Sequence, residues 1–330
     1  MKTLVIRFSS AGDILLTSLF VRALRTRYPD GEIHFLTKRS FASLVENSPH
    51  LNVVHTIDDH ATLGEALTLR RSLLAEQYDA VFDLHNSLRS RIVRFGLGKS
   101  RAVFRKPTFR KWLLVKFKIN RLRPPVPIPE RYLAVGKEYG LQNDGRGLEF
   151  FTGAVNSPLP DDLPRPFIAL APGARHFTKR WPAERYAELA KKLLARHGGT
   201  IVLLGGPDEL SICREVEEKA GGNTLNLAGK TSLPEAAAII DKCALVIAND
   251  SALGHVAAAC NVPVLSIFGS TVEEFGFAPY SGKARVVQTP ELACRPCTTI
   301  GRAECPKGHF ACMVGTDTAL EAAEIAIADS

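Results

Sequence analysis

The chain has 330 residues, 45% of them hydrophobic and 23% charged, which excludes wholesale disorder and suits two domains rather than one. No stretch reaches the roughly 18 uninterrupted apolar residues of a membrane span, and Arg7 breaks the first apolar run before a signal-peptide core forms, so a cytoplasmic location is expected. The net charge is +8, yet thirteen Lys and Arg residues and no acid lie between Leu84 and Pro129, so one segment carries more than the whole excess and marks a docking place for an anionic partner.

In chain order, Lys2–Phe8 reads as a strand and Asp13–Tyr28 as a helix, with Leu16, Leu19, Phe20, Ala23 and Leu24 at helical spacing. Glu32–Thr37 and Asn52–Ile57 read as strands, Leu63–Ala75 as a helix and Ala80–Leu84 as a strand, after which the rhythm frays into the basic stretch. The turn-rich run 156–166 reads as a linker. Beyond it come strands at Phe167–Ala171, Thr200–Leu204, Leu245–Ala248 and Pro263–Phe268. Helices are expected at Pro182–His197, Asp208–Ala220, Leu233–Asp241, Ser251–Cys260 and Thr318–Ala328. Strands separated by helices need crossover connections, hence two parallel-sheet α/β domains. The expected division is 1–155, the linker 156–166, 167–316 and a terminal helix over 317–330 that packs back on the first domain.

Open parallel sheets bind ligands at the carboxyl ends of their strands, so the loops that follow strands hold the candidate chemistry. In Ser9-Ser10-Ala11-Gly12-Asp13 the glycine permits a tight turn, and Asp13 falls in the first helical turn. Free N–H groups there favour an ionised carboxylate, either as a helix cap or as a general base. No G-x-G-x-x-G follows, which argues against a dinucleotide loop. The loop from Ala171 to Pro182 carries Arg175, Lys179 and Arg180 into a helix start, a natural receptor for a diphosphate. The turn Asn249-Asp250-Ser251 leads into a small-residue helix bearing His255, one turn after Ser251. His85, Asn86 and Arg89 follow the strand Ala80–Leu84, where the basic segment begins, and suit an anionic acceptor.

Four stretches, IRFSSAGDILLTS, APGARHFTKRWPAERYAEL, LAGKTSLPEAAAIIDKCALVIANDSALGHVAAA and FGST, lie in order along nearly the whole chain. Together they resemble the ADP-heptose:lipopolysaccharide heptosyltransferases of glycosyltransferase family nine. The resemblance implies a GT-B architecture, two Rossmann-like doubly wound parallel-sheet domains facing a central cleft. It also implies an inverting transfer of heptose from ADP-heptose to inner-core lipopolysaccharide, with no cofactor required. By the same resemblance Asp13 matches the family's general base, Lys179 the lysine that neutralises the diphosphate, and Asp250 the aspartate near the donor sugar. Arg175, Ser251, His255, Gly205, Ser270 and Thr271 complete the expected donor set, and Ser9, Ser10, Gly12, His85, Asn86 and Arg89 the acceptor set. The chain departs from the pattern where some members carry two threonines before the lysine and it has Ala174 and Arg175. The absence of any Asp-x-Asp, the usual metal–diphosphate element, agrees with a metal-independent transfer.

Such acceptors are anionic and membrane-embedded, and FRKWLLVKFKINR divides on a helical wheel into an apolar side with Phe109, Trp112, Leu113 and Phe117 and a basic side with Arg110, Lys111 and Lys118. That pattern fits a helix lying at the inner face of the membrane, or one packed on the first domain. Separately, Cys294, Cys297, Cys305, His309 and Cys312 cluster with spacing that could close a structural zinc site, form disulfides or remain free thiols. Two other functions stay open on residues alone: a GT-B transferase with a different nucleotide-sugar donor, and a basic, cysteine-rich nucleic-acid binder. No nucleic-acid motif accompanies the latter.

Overall fold

The computed structural model describes residues 1–289, 292–315 and 323. It divides into two compact units, one of residues 1–107 with 128–153, the other of residues 108–127 with 154–330.

The first unit holds a five-stranded sheet: β1 (Lys2–Ile6), β2 (Glu32–Lys38), β3 (Val53–Ile57), β4 (Ala80–Asp83) and β5 (Ser100–Val103). Its order is β3-β2-β1-β4-β5, and every pairing is parallel. The second unit holds β6 (Phe167–Ala171), β7 (Thr200–Leu203), β8 (Thr224–Asn226), β9 (Leu245–Asn249), β10 (Val264–Phe268) and β11 (Ala284–Gln288), in the all-parallel order β11-β10-β9-β6-β7-β8. Central strands such as FIALA and LVIAN are buried at every position, as strands covered on both faces must be. Each unit has its own core: Leu4, Ile6, Phe8, Leu36 and Val81 in the first; Ile168, Leu170, Trp181, Tyr186, Ile201 and Ile247 in the second.

In each sheet the chain order reverses once, between β1 and β4 and between β6 and β9. At such a reversal two neighbouring strands send their following loops in opposite directions, which opens a crevice at their carboxyl ends. The first crevice receives the residues after β1 and β4, and the second those after β6 and β9.

Several expectations change. The single helix expected over Asp13–Tyr28 is two, Ala11–Leu15 and Ser18–Arg27. At the join the Thr17 backbone N–H and hydroxyl both donate to the Ile14 carbonyl, at 2.9 and 2.6 Å, which closes a tight turn in place of the next α-helical bond. Edge strands β5, β8 and β11 were not expected, because short, half-exposed segments such as SRAV lack both alternation and an apolar run. Residues 108–127, expected within the first domain, cluster with the second. Leu114 and Leu122 bury there against Val272 and Phe275, Lys111 lies 5.0 Å from the Phe275 and Phe277 ring centres, and Asn120 and Arg123 donate to Glu274. No helix or strand occupies 140–166, which contains the expected linker. The terminal helix expected from Thr318 to Ala328 lies, but for Ala323, outside the described residues.

Candidate active site

The first crevice is built around Asp13. The residue is the third of its helix, and its carboxylate reaches back to the N-cap, accepting from the Ser10 backbone N–H at 3.2 Å and the Ser10 hydroxyl at 2.9 Å. Its other oxygen pairs with the Arg7 guanidinium at 2.7 Å and accepts from the Tyr132 hydroxyl at 3.3 Å. Capping and charge pairing therefore hold one carboxylate that is still 17% exposed. Arg7 is itself fixed, since Nη1 donates to the Leu84 carbonyl after β4 at 2.7 Å and its guanidinium lies 5.5 Å from the Tyr132 ring centre. Burial pushes the Tyr132 hydroxyl far above its usual range, so it remains a donor.

The loop after β4 turns on Asp83, fully buried, which accepts from the His85 and Asn86 backbone N–H groups and from Ser90 and Arg94. His85 packs its ring 5.2 Å from that of Phe8. Burial first, then Arg7 and Lys106, push its pKa down to about 3, so its imidazole is neutral at physiological pH. Lys106 joins the same neighbourhood, its pKa lowered by burial and by Arg7. Asn86 and Arg89, expected to face an acceptor, are half-buried and make bonds to the scaffold. Asn86 sits at φ 47 and donates to the Phe104 carbonyl at 2.9 Å, while Arg89 donates to the Asp59 carbonyl at 3.4 Å. Ser9 and Gly12 stay in the Asp13 turn, Ser9 half-buried and Gly12 buried.

The second crevice gathers Lys179, Asp250 and Thr271. Asp250 pairs with Lys179 at 2.7 Å and accepts from the Thr271 hydroxyl at 2.7 Å. The buried Asn249 beside it ties the two loops together, accepting from the Trp181 N–H at 3.0 Å and donating to the Pro172 carbonyl at 2.8 Å. Thr178 is held by Arg302, whose backbone N–H donates to its hydroxyl at 2.8 Å, and Arg295 donates to the Thr271 carbonyl at 2.8 Å. Ser270 is buried, with its N–H directed to the Thr178 carbonyl at 3.3 Å. His255 is buried inside its helix, Ser251 stands at the N-cap position of that helix without a side-chain capping bond, and Arg175 is exposed.

Next to this set lies a cavity of about 250 Å³ lined by Gly173, Gly205, Gly206, Glu209, Ser232 and Ser251 among others. Gly173 leaves room for Glu209 there, because a Cβ at that position would come within 2.1 Å of the Glu209 carboxyl carbon and displace that side chain. Burial raises the Glu209 pKa, while the Gly206 N–H donates to its carboxylate at 2.9 Å.

The cysteine loop is more open than a closed metal site. Cys294 Sγ lies 3.9 Å from His309 Nε2, while Cys312 is buried in the apolar core. These five residues do not bring three ligand atoms within 4.8 Å of one another, and Cys294, Cys297, Cys305 and Cys312 are free thiols.

Arg7, Tyr132, Lys106, Asn249 and Glu209 were not singled out as site residues in the sequence. Arg7 carried one signal, a cation at the end of an otherwise apolar strand. Tyr132 carried none, being 119 positions from the carboxylate it contacts.

The chain matches the family described as Glycosyltransferase family 9 (heptosyltransferase) over residues 66–307. It is 31% identical over 310 residues to lipopolysaccharide heptosyltransferase 2 of Escherichia coli K12, covering 87% of this chain and 88% of that one. The corresponding Salmonella typhimurium protein is 30% identical over 310 residues, with the same coverage. Among solved structures, E. coli ADP-heptose lps heptosyltransferase II superposes with a TM-score of 0.73 at 26% identity, covering 100% of this chain and 99% of that one. The two all-parallel units are thus those of a GT-B glycosyltransferase, and the chain belongs to glycosyltransferase family 9, the heptosyltransferases.

Proposed function

We propose that this enzyme transfers heptose, with inversion, from ADP-heptose to the inner core of a lipopolysaccharide precursor, with Asp13 as general base. The observation that carries the reading is that one switch point holds a carboxylate and the other a lysine–aspartate–threonine set. Asp13 takes the proton of the acceptor hydroxyl as its oxygen bonds to the anomeric carbon. The bond from that carbon to the diphosphate breaks, and ADP leaves with the electron pair. Its new negative charge meets Lys179, with Arg175 in the same loop, in place of a metal. Without donor, Lys179 is neutralised by Asp250, so a diphosphate competes for the ammonium and frees Asp250 for the sugar. The cavity beside Gly205 and Ser251 suits the nucleoside, with Glu209 as an acceptor for ribose hydroxyls.

Bonds to Arg7, Ser10 and Tyr132 make Asp13 a weak base in isolation. It therefore acts as the acceptor oxygen becomes acidic during attack, not by ionising a free alcohol beforehand. The acceptor is lipid-linked, and Phe109, Trp112 and Phe117 are exposed on a basic helix, so the enzyme works from the cytoplasm at the inner face of the membrane.

The test is transfer to defined truncated lipopolysaccharide acceptors with ADP-heptose and with UDP-sugars. Activity is expected only with ADP-heptose. Asp13→Asn should cut turnover by about 10²- to 10⁴-fold while ADP affinity is kept, and Lys179→Ala should weaken ADP binding. Near-normal turnover of Asp13→Asn would remove the base assignment, and transfer from a UDP-sugar alone would replace the donor.

A further inference from the structure

A second constellation lies in the first unit, toward the amino ends of β2 and β3. Among the described residues only one group brings three potential metal ligands within 4.8 Å of one another: His34, His55 and Glu76. The parallel register sets His34 opposite Val53, so His55 stands diagonally two residues on, along the same sheet face. Glu76 caps the carboxyl end of the helix Leu63–Ala75. Three chain segments far apart in sequence thus converge.

The protons in this cluster do not match its contacts. His34 Nε2 lies 2.9 Å from Glu32 Oε1. A carboxylate only accepts, so that nitrogen carries a hydrogen, and each ring nitrogen either donates or accepts, never both. Nδ1 then meets His55 Nε2 at 3.0 Å and the Tyr78 hydroxyl at 2.9 Å, while His55 Nε2 is 3.2 Å from that same hydroxyl. One imidazole proton and one hydroxyl proton cannot give each of these three contacts its own donor and acceptor. Two imidazole nitrogens 3.0 Å apart, with a carboxylate oxygen within 4.8 Å of both, form a donor set that a borderline-soft divalent cation takes. The Glu32–His34 bond also has the form of the outer carboxylate that orients a metal-bound histidine.

We propose that His34, His55 and Glu76 bind one divalent transition-metal ion, zinc by the chemistry of the donor set, which ties β2 and β3 to the end of the Leu63–Ala75 helix. The facing cation is Lys2, 2.5 Å from Glu76 and 3.1 Å from Glu32, with its side chain 24% exposed. Two carboxylates against one ammonium leave the cluster with room for positive charge, and Lys2 can stay on Glu32 while Glu76 turns to the ion. His34 is buried, while His55 and Glu76 are half-exposed and give the ion its way in.

The experiment titrates chelator-treated full-length protein with cobalt(II), in a Cys294→Ser/Cys297→Ser/Cys305→Ser background that removes the partly exposed thiols of the cysteine loop. One equivalent should bind with visible ligand-field bands and no thiolate charge-transfer band, and zinc should displace it. Thermal stability should rise on binding. His55→Gln and Glu76→Gln should abolish uptake with the apo far-UV spectrum unchanged, and Glu32→Gln should weaken it roughly 10- to 100-fold. Absence of uptake, or uptake indifferent to His55→Gln and Glu76→Gln, overturns the proposal. The outcome is independent of transfer activity.

Discussion

At the scale of single residues, Asp13 answers a question that its position in the sequence leaves open. A carboxylate in the first turn of a helix caps it, and one at a switch point can act on a ligand. Here the carboxylate caps the helix through Ser10 on one oxygen, while Arg7 and Tyr132 hold the other at the switch point. Its neighbour His85 makes a pH prediction. Burial together with Arg7 and Lys106 lowers its pKa from 6.5 to about 3, so over that interval the unfolded chain binds a proton that the folded chain does not. Stability contributed by neutral His85 is therefore complete above about pH 6.5 and is lost as pH falls towards 3. Melting temperature measured from pH 7 down to 4 should fall less steeply for His85→Phe, which keeps the ring contact with Phe8. Parallel curves for the two proteins would show that His85 does not set the slope. Asp13, Lys179 and Asp250 were legible in the sequence because each sits in a polar turn just after an apolar strand. Tyr132 and Glu209 were not, since nothing local marks a tyrosine or a glutamate that a distant loop will meet.

At the scale of elements, the helix Thr108–Phe117 shows how a wheel can name the right residues and leave their roles undecided. Its sequence separates an aromatic side from a basic one, but a helix buries whichever side finds a partner. Leu114 does so, against Val272 and Phe275. Phe109, Trp112 and Phe117 remain 68%, 44% and 59% exposed and pack on one another, with ring centres 5.8 and 5.2 Å apart. Burying even half of an aromatic side chain in an interface is worth about 1 kcal/mol. Trp112→Ser combined with Phe117→Ser should therefore reduce co-sedimentation with anionic phosphatidylglycerol vesicles by roughly tenfold or more, with the circular dichroism unchanged. Equal binding by variant and wild type would overturn the membrane-facing role proposed for this helix. The expected helix over Asp13–Tyr28 fails for a different reason: Thr17 turns its hydroxyl onto the Ile14 carbonyl, a competition that apolar periodicity does not register.

At the scale of the whole molecule, the first unit is discontinuous in sequence, and a buried arginine fastens its returning segment. Arg22, 1% exposed, pairs with Asp144 at 2.8 Å and Glu149 at 2.9 Å and donates to the Gly147 carbonyl at 2.7 Å. The Arg22 guanidinium holds the Asp144 carboxyl well below the usual carboxylate range. Arg22→Met leaves Asp144 to Arg146 and Glu149 to His50 but removes the tie between them, so it should destabilise the first unit by about 1 to 3 kcal/mol in denaturant unfolding. A change below about 1 kcal/mol would show that the segment is held by apolar packing alone.

The two parallel α/β units and the candidate loops after their strands were readable from the chain, because strand–helix alternation and turn residues are local properties, and the family was readable from four motif stretches. Tertiary structure alone decided that residues 108–127 join the second unit, that Arg7 and Tyr132 share a carboxylate, and that His34, His55 and Glu76 meet. Each of these depends on contacts between residues far apart in the chain, made by sheet register and packing, on which no spacing along the sequence bears.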